Sequence, residues 1–173
     1  MRTIDMSALS VLVADPNPYM VKIIRAMLRG YGITTIHEAT DGAVALEAFK
    51  IHNVDIAIVD YALTTLNGIE LTELLRGDEG SAHRYVPIIM LSAYTEKKRV
   101  VTARDAGITE FLRKPLCARD LYMRLLEVIE NPRPFVQSAK YFGPDRRRQP
   151  DSNYADIERR AENTDDGFDS IHA

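Results

Sequence analysis

The sequence predicts an open α/β fold, a doubly wound sheet of five parallel strands with five helices on its two faces. Short apolar segments rich in β-branched residues alternate with segments of helical periodicity five times over residues 9–130. The short segments are apolar nearly throughout, as strands covered on both faces are, whereas half-exposed strands would alternate. The chain has 173 residues, and a closed eight-unit barrel needs about 250.

Leu9, Val11, Leu12, Val13 and Ala14 make the first strand, over 9–14, and Asp15-Pro-Asn-Pro18 breaks it. Met20, Ile23, Ile24, Met27 and Leu28 recur at helical spacing over 19–29, with Gly30 and Gly32 where that helix should stop. A strand over 34–39 and a helix over 42–50, carrying Val44, Ala45, Leu46, Ala48 and Phe49, form the second unit. The third strand covers 54–59 and runs into Asp60, and its helix covers 68–76. Strand four spans 86–91 with Pro87 near its start, where a lost ladder bond is tolerated. Its helix covers 95–106, with Thr95 as the expected N-cap and Gly107 as the stop. Strand five covers 110–113 and helix five 118–130. Pro132 and Pro134 mark a boundary, because proline cannot continue a helix and favours extended chain. The expected organisation is an N-terminal extension over 1–8, a domain over 9–130 and a tail over 131–173. That tail is polar, charged and weakly periodic, so it is expected to be largely disordered, with a short helix over 155–163.

Composition excludes several classes. About half the chain, 46%, is hydrophobic, enough for a substantial core. Lys and Arg number 22 against 25 Asp and Glu, and a net charge of -3 gives no global case for nucleic-acid binding. The single Cys117 cannot form an intrachain disulfide. No secretory signal and no apolar run of about 20 residues is present, so a cytoplasmic location is expected. Glycine-rich dinucleotide loops, P-loops and nucleophile elbows are absent, which argues against an enzyme. His37, His52, His83 and His172 lack metal-ligand spacing.

In an open parallel sheet, ligands bind outside the carboxyl ends of the strands. The residues at those ends are Asp15, Asp60, Ser92 and Lys114. Singly, each is an ordinary turn or surface residue. Together they put two carboxylates, a hydroxyl and an amine on one edge. Neighbouring carboxylates repel, and a hard cation such as magnesium relieves that repulsion. Asp60 is then able to attack a phosphoryl group, Lys114 to pair with one phosphoryl oxygen, and Ser92 to hydrogen-bond another.

Four spaced motifs carry a family resemblance: Val11-Leu-Val-Ala-Asp15; Asp55-Ile-Ala-Ile-Val-Asp60 with Asn67-Gly68; Pro87-Ile-Ile-Met-Leu-Ser92-Ala93; and Lys114-Pro115. In order, they resemble bacterial response-regulator receiver domains of the chemotaxis type. The resemblance implies a flavodoxin-like sheet in the order 2-1-3-4-5. It implies a stand-alone receiver in a two-component phosphorelay, with Asp60 as phosphoacceptor and output through helix four, strand five and helix five. It assigns magnesium to Asp15, Asp60 and the main-chain carbonyl of Ala62, phosphoryl sensing to Ser92 and Lys114, a switch role to Phe111, and a cis bond to Pro115. For Phe111 ordinary core packing is the alternative. Implied partners are a histidine kinase or phosphotransfer protein and a downstream signalling protein. Neither a DNA-binding domain nor a membrane is implied, and the expected state is a monomer or weak dimer.

One departure stands out. Receivers usually carry a second acid, a direct metal ligand, where this chain has Pro16. A weakened magnesium site follows, relieved only by Asn17 or water. Slower phosphotransfer and a phosphorylation-independent interaction module both stay open. The tail adds Lys140-Tyr-Phe-Gly-Pro-Asp-Arg-Arg-Arg148. There Tyr141, Phe142, Arg146, Arg147 and Arg148 are candidates for contact with a partner or a phosphate, against the alternative of a solvated linker diluted by Asp151, Asp156 and Glu158. It is too short for a helix-turn-helix output domain.

Overall fold

Residues 4–147 are described by the computed structural model. Strand β1 (Ser10–Ala14) pairs in parallel with β2 (Thr35–Ala39) on one side and β3 (Ile56–Asp60) on the other. β3 pairs with β4 (Ile88–Ser92), and β4 with the edge strand β5 (Glu110–Arg113). The order is β2-β1-β3-β4-β5, as expected. Helices α1 (Pro18–Gly30), α2 (Gly42–Ile51), α3 (Gly68–Gly77), α4 (Lys97–Ala106) and α5 (Ala118–Glu130) follow the strands in turn.

Strand side chains alternate between faces, so one sheet builds two cores. Val11, Val13, Ile58, Leu91 and Leu112 meet Val21, Ile24 and Leu28 of α1 and Leu121, Leu125 and Val128 of α5. Leu12, Ala57, Val59, Ile88 and Met90 meet Phe49 of α2, Leu71 and Leu75 of α3 and Ala103 of α4. Every residue of β3 and β4 is buried, which explains their unbroken apolar runs.

Helix starts follow local chemistry. Asn17 caps α1 by accepting from the Tyr19 N–H, with Pro18 in the first turn, where a missing N–H costs nothing. Asp41 accepts from the Ala43 and Val44 N–H groups. Asn67 and Glu70 close a reciprocal capping box on α3. α4 departs from expectation. It begins at Lys97 with Glu96 in the cap position, one residue later than a Thr95 cap would set, and no side chain caps it.

Residues 135–144 of the tail are ordered, where disorder was expected. Pro132 and Pro134 do end α5, but the extended chain they favour becomes a hairpin of β6 (Phe135–Ser138) and β7 (Tyr141–Pro144). The Asp145 N–H donates to the Pro134 carbonyl and closes its open end. Aromatic residues supply the apolar face that composition averages concealed: Phe135 and Phe142 pack edge-on with Tyr85 of a 3-10 turn (Ala82–Tyr85). The expected helix over 155–163 lies outside the described residues.

Two buried arginines join this hairpin to the domain. Arg76, 3% exposed, donates from Nε to the Gly107 carbonyl at 2.9 Å, from Nη1 to Arg84 at 2.8 Å and from Nη2 to Val86 at 2.9 Å. Arg84 Nε returns a bond to the Arg76 carbonyl at 2.8 Å. The guanidinium groups lie 5.0 Å from the Phe135 ring and 3.5 Å from the Phe142 ring, respectively. Burial pushes the Arg76 pKa down to about 10, with Tyr141 opposing that fall, so the group stays charged at neutral pH. A lysine cannot reproduce three donors aimed at three carbonyls. Arg76→Lys is therefore expected to lower unfolding free energy by about 3 kcal/mol, since buried carbonyls lose their donors; urea denaturation with wild-type stability would refute this.

Candidate functional site

Backbone ladders deliver four side chains to one edge. Each lies at the last rung of its strand or one step past it. The Asp15 N–H donates to Ala39, the Tyr61 N–H to Leu91, and the Lys114 N–H to Ser92. Asp15, Asp60 and Ser92 are thereby buried at 1%, 5% and 2% exposure. The strand ends alone predict these residues, and the fold brings all four to the same edge.

One ammonium ties the two acids. Lys114 Nζ lies 2.5 Å from Asp15 Oδ2 and 2.7 Å from Asp60 Oδ1. The other carboxylate oxygens accept main-chain bonds, Asp15 Oδ1 from the Asn17 N–H at 2.8 Å and Asp60 Oδ2 from the Ala62 N–H at 3.0 Å. Burial disfavours the Lys114 charge, but its hydrogen bonds and attraction to Asp15 and Asp60 outweigh that and hold its pKa above the ordinary 10.5. A raised lysine pKa stabilises the fold at every pH below the ordinary value, and that contribution is lost only as pH climbs through the raised one. The Lys114–Pro115 bond is cis.

Ser92 is engaged with its own loop. Its hydroxyl donates to the Tyr94 carbonyl at 2.8 Å and accepts from the Tyr94 N–H at 3.1 Å. Phe111 is half-buried, opposite Met90 in the ladder and packed on the core of the α2, α3 and α4 face. A third feature escaped sequence reasoning. Arg99 of α4 sits 5.1 Å from the Tyr61 ring and 4.9 Å from the Tyr94 ring, joining the residue after Asp60 to the loop after Ser92. No local pattern links these positions.

The donor set suits a hard cation. Asp15, Asp60 and the Ala62 carbonyl offer only oxygen, and magnesium tolerates few protein ligands because it keeps several waters. Among the described residues no group of three or more His, Cys, Asp or Glu side chains forms a metal cage. Pro16 is exposed and offers no ligand side chain. The Asn17 side-chain oxygen is already taken up in capping α1. Any cation here shares both carboxylates with Lys114.

The tail candidates lie elsewhere. Tyr141 and Phe142 belong to the hairpin at the far ends of α3 and α4, and Arg146 pairs with Asp105 of α4 at 3.2 Å while lying 4.0 Å from the Tyr141 ring. The Arg147 N–H donates to Asp145 Oδ1. Arg148 lies outside the described residues.

Comparison with known proteins agrees with this geometry. Residues 11–126 match the family model described as the response regulator receiver domain. The chemotaxis protein CheY of Pseudomonas aeruginosa is 30% identical over 122 residues, covering 70% of this chain and 97% of that protein. CheY-3 of Vibrio cholerae is 29% identical over 122 residues, covering 70% and 92%. Among solved structures, the receiver domain of a sensor histidine kinase of Pseudomonas aeruginosa PAO1, with a magnesium ion coordinated in its active site cleft, superposes with a TM-score of 0.64 at 28% identity. That match covers 71% of this chain and 98% of the other.

Removing the shared cation would leave two buried like charges side by side. Lys114→Met is therefore expected to lower the unfolding free energy by about 3 kcal/mol, because a buried charge pair loses one partner, read from urea midpoints. A midpoint equal to that of wild type would contradict this account of the triad.

Proposed function

Because the chain belongs to the response regulator receiver family, we propose that Asp60 accepts a phosphoryl group and that α4, β5 and α5 present the result to a separate signalling partner. Receivers are signalling modules, and this one is read as carrying information between proteins and not as turning over a metabolite. The observation that carries the reading is the single ammonium shared by two buried carboxylates at the C-terminal edge of the sheet.

An Asp60 carboxylate oxygen attacks the phosphorus of a phosphohistidine on a histidine kinase or phosphotransfer protein. The N–P bond breaks, the electron pair stays on the imidazole, and an acyl phosphate forms; water later returns carboxylate and inorganic phosphate. Lys114, already 2.7 Å from Asp60, needs only a small shift to meet a phosphoryl oxygen. Ser92 exchanges its bonds to Tyr94 for one to another phosphoryl oxygen. Phe111, half-buried beside α4, moves into the space this opens. Magnesium, when bound to Asp15, Asp60 and the Ala62 carbonyl, supplies charge that offsets the incoming phosphoryl group.

Pro16 removes one negative ligand, so metal affinity is low and phosphotransfer slow. The proline at that position, with Lys114 already paired to both acids, favours a second reading, a receiver that binds its partner without phosphate. Acetyl phosphate with magnesium is expected to label wild type at Asp60 by mass spectrometry and to leave Asp60→Asn unlabelled. Absence of label from this donor and from any kinase would leave only the second reading. Pro16→Asp is expected to bind magnesium about tenfold more tightly, given one added carboxylate; equal affinities in a calorimetric titration would sink the metal argument.

A further inference from the structure

α4 is weakly held by its own sequence. Its buried residues are two alanines, Ala103 and Ala106, whereas α1 buries Val21, Ile24 and Leu28 and α5 buries Leu121, Leu125 and Val128. Its first turn has no side-chain cap and no acid, and begins with Lys97 and Lys98, charges that oppose the helix dipole. Two external ties compensate, one at each end.

The N-terminal tie reaches the acceptor. Arg99 stacks against Tyr94, and Tyr94 holds the Ser92 hydroxyl through both of its main-chain groups. The C-terminal tie is the hairpin. Asp105 pairs with Arg146, and the Gly107 carbonyl accepts from Arg76, which lies against Phe135. Close packing makes this second tie specific. A Cβ on Gly143 would come 2.9 Å from the Gly107 Cα, which only a backbone shift relieves, and 2.6 Å from the Tyr141 hydroxyl. Gly107 itself has φ +103 and a Cβ there would come 3.0 Å from the Phe142 carbonyl oxygen, so a side chain on either glycine strains that corner. The motif from Tyr141 to Arg146 thus reads as a docking sequence for the chain's own α4. The matched family region ends at residue 126, so the hairpin is an addition to it.

We propose that α4 is a lever between the acceptor and the C-terminal hairpin, so that phosphorylation of Asp60 loosens the hairpin from the Gly107 corner and makes it part of the output surface. This rests on the proposed role of Asp60. When Ser92 turns to a phosphoryl oxygen, its two bonds to Tyr94 break. Tyr94 shifts, Arg99 follows, and the short helix carries the displacement to Asp105 and Gly107. Linkage makes the coupling reciprocal: if phosphorylation weakens hairpin docking, weakened docking must favour the phosphorylated conformation by the same factor.

Full-length protein is used throughout, with magnesium and beryllofluoride as the phosphoryl mimic, and with acetyl phosphate in parallel so that intact mass counts label at Asp60. Amide hydrogen exchange over residues 135–144 is expected to rise on labelling. Gly143→Ala, which cannot seat the hairpin, is expected to bind beryllofluoride about fivefold more tightly than wild type. Arg146→Ala shifts affinity in the same direction and serves if Gly143→Ala does not fold. Unchanged hairpin exchange in chains that carry the label overturns the coupling alone, as does equal beryllofluoride affinity in wild type and a folded variant whose hairpin exchange has risen. Failure of Asp60 to label or to bind the mimic overturns the proposed function and the coupling with it.

Discussion

Two carboxylates can stay buried side by side at the strand ends only because one ammonium reaches both. Burying three charged groups carries a desolvation penalty, which is offset by leaving every carboxylate oxygen hydrogen-bonded or ion-paired. At Lys114 the hydrogen bonds and attraction to both acids outweigh its own burial and raise its pKa. Much of the remaining architecture supplies its conditions. The parallel sheet brings Asp15, Asp60 and Lys114 to one edge, and the two helical layers keep bulk water from the sheet faces.

The opposite edge of the sheet solves a different problem with the other charge. Arg76 is buried there against three carbonyls and an aromatic ring, and its charge is satisfied by dipoles instead of a carboxylate. That arrangement joins α3, the start of β4 and the end of α4 by hydrogen bonds, and the hairpin by ring contacts. The domain therefore has an acidic pole bridged by lysine and an arginine pole closed by its own hairpin. α4 runs between them with little apolar burial of its own. A helix held at its ends is a better carrier of displacement than one set along its length in a core, because rearranging it disturbs few buried contacts.

A metal ion proposed at the acidic pole would meet few free charges. With proline after Asp15 and the Asn17 oxygen spent on a helix cap, a cation finds two carboxylates already shared with lysine. Magnesium suits that setting because it retains its waters.

Sequence alone determined the order and type of the domain's elements, because unbroken apolar runs, period-3.6 patterns and glycine stops are local properties of the chain. It also located Asp15, Asp60, Ser92 and Lys114, since a strand end is read from where an apolar run stops. It did not determine where α4 begins: Thr95 has the chemistry of a cap, but its neighbour Tyr94 is held by Ser92, and the helix starts after Glu96. Nor did it reveal the hairpin, whose polar composition resembles a linker until Phe135 and Phe142 are set against Arg76, Arg84 and Tyr85. The bridging geometry of Lys114 and the stack of Arg99 between two tyrosines were likewise decided only by tertiary structure. Each depends on partners far apart in the chain, and a residue's local pattern carries no information about which distant group will share its charge.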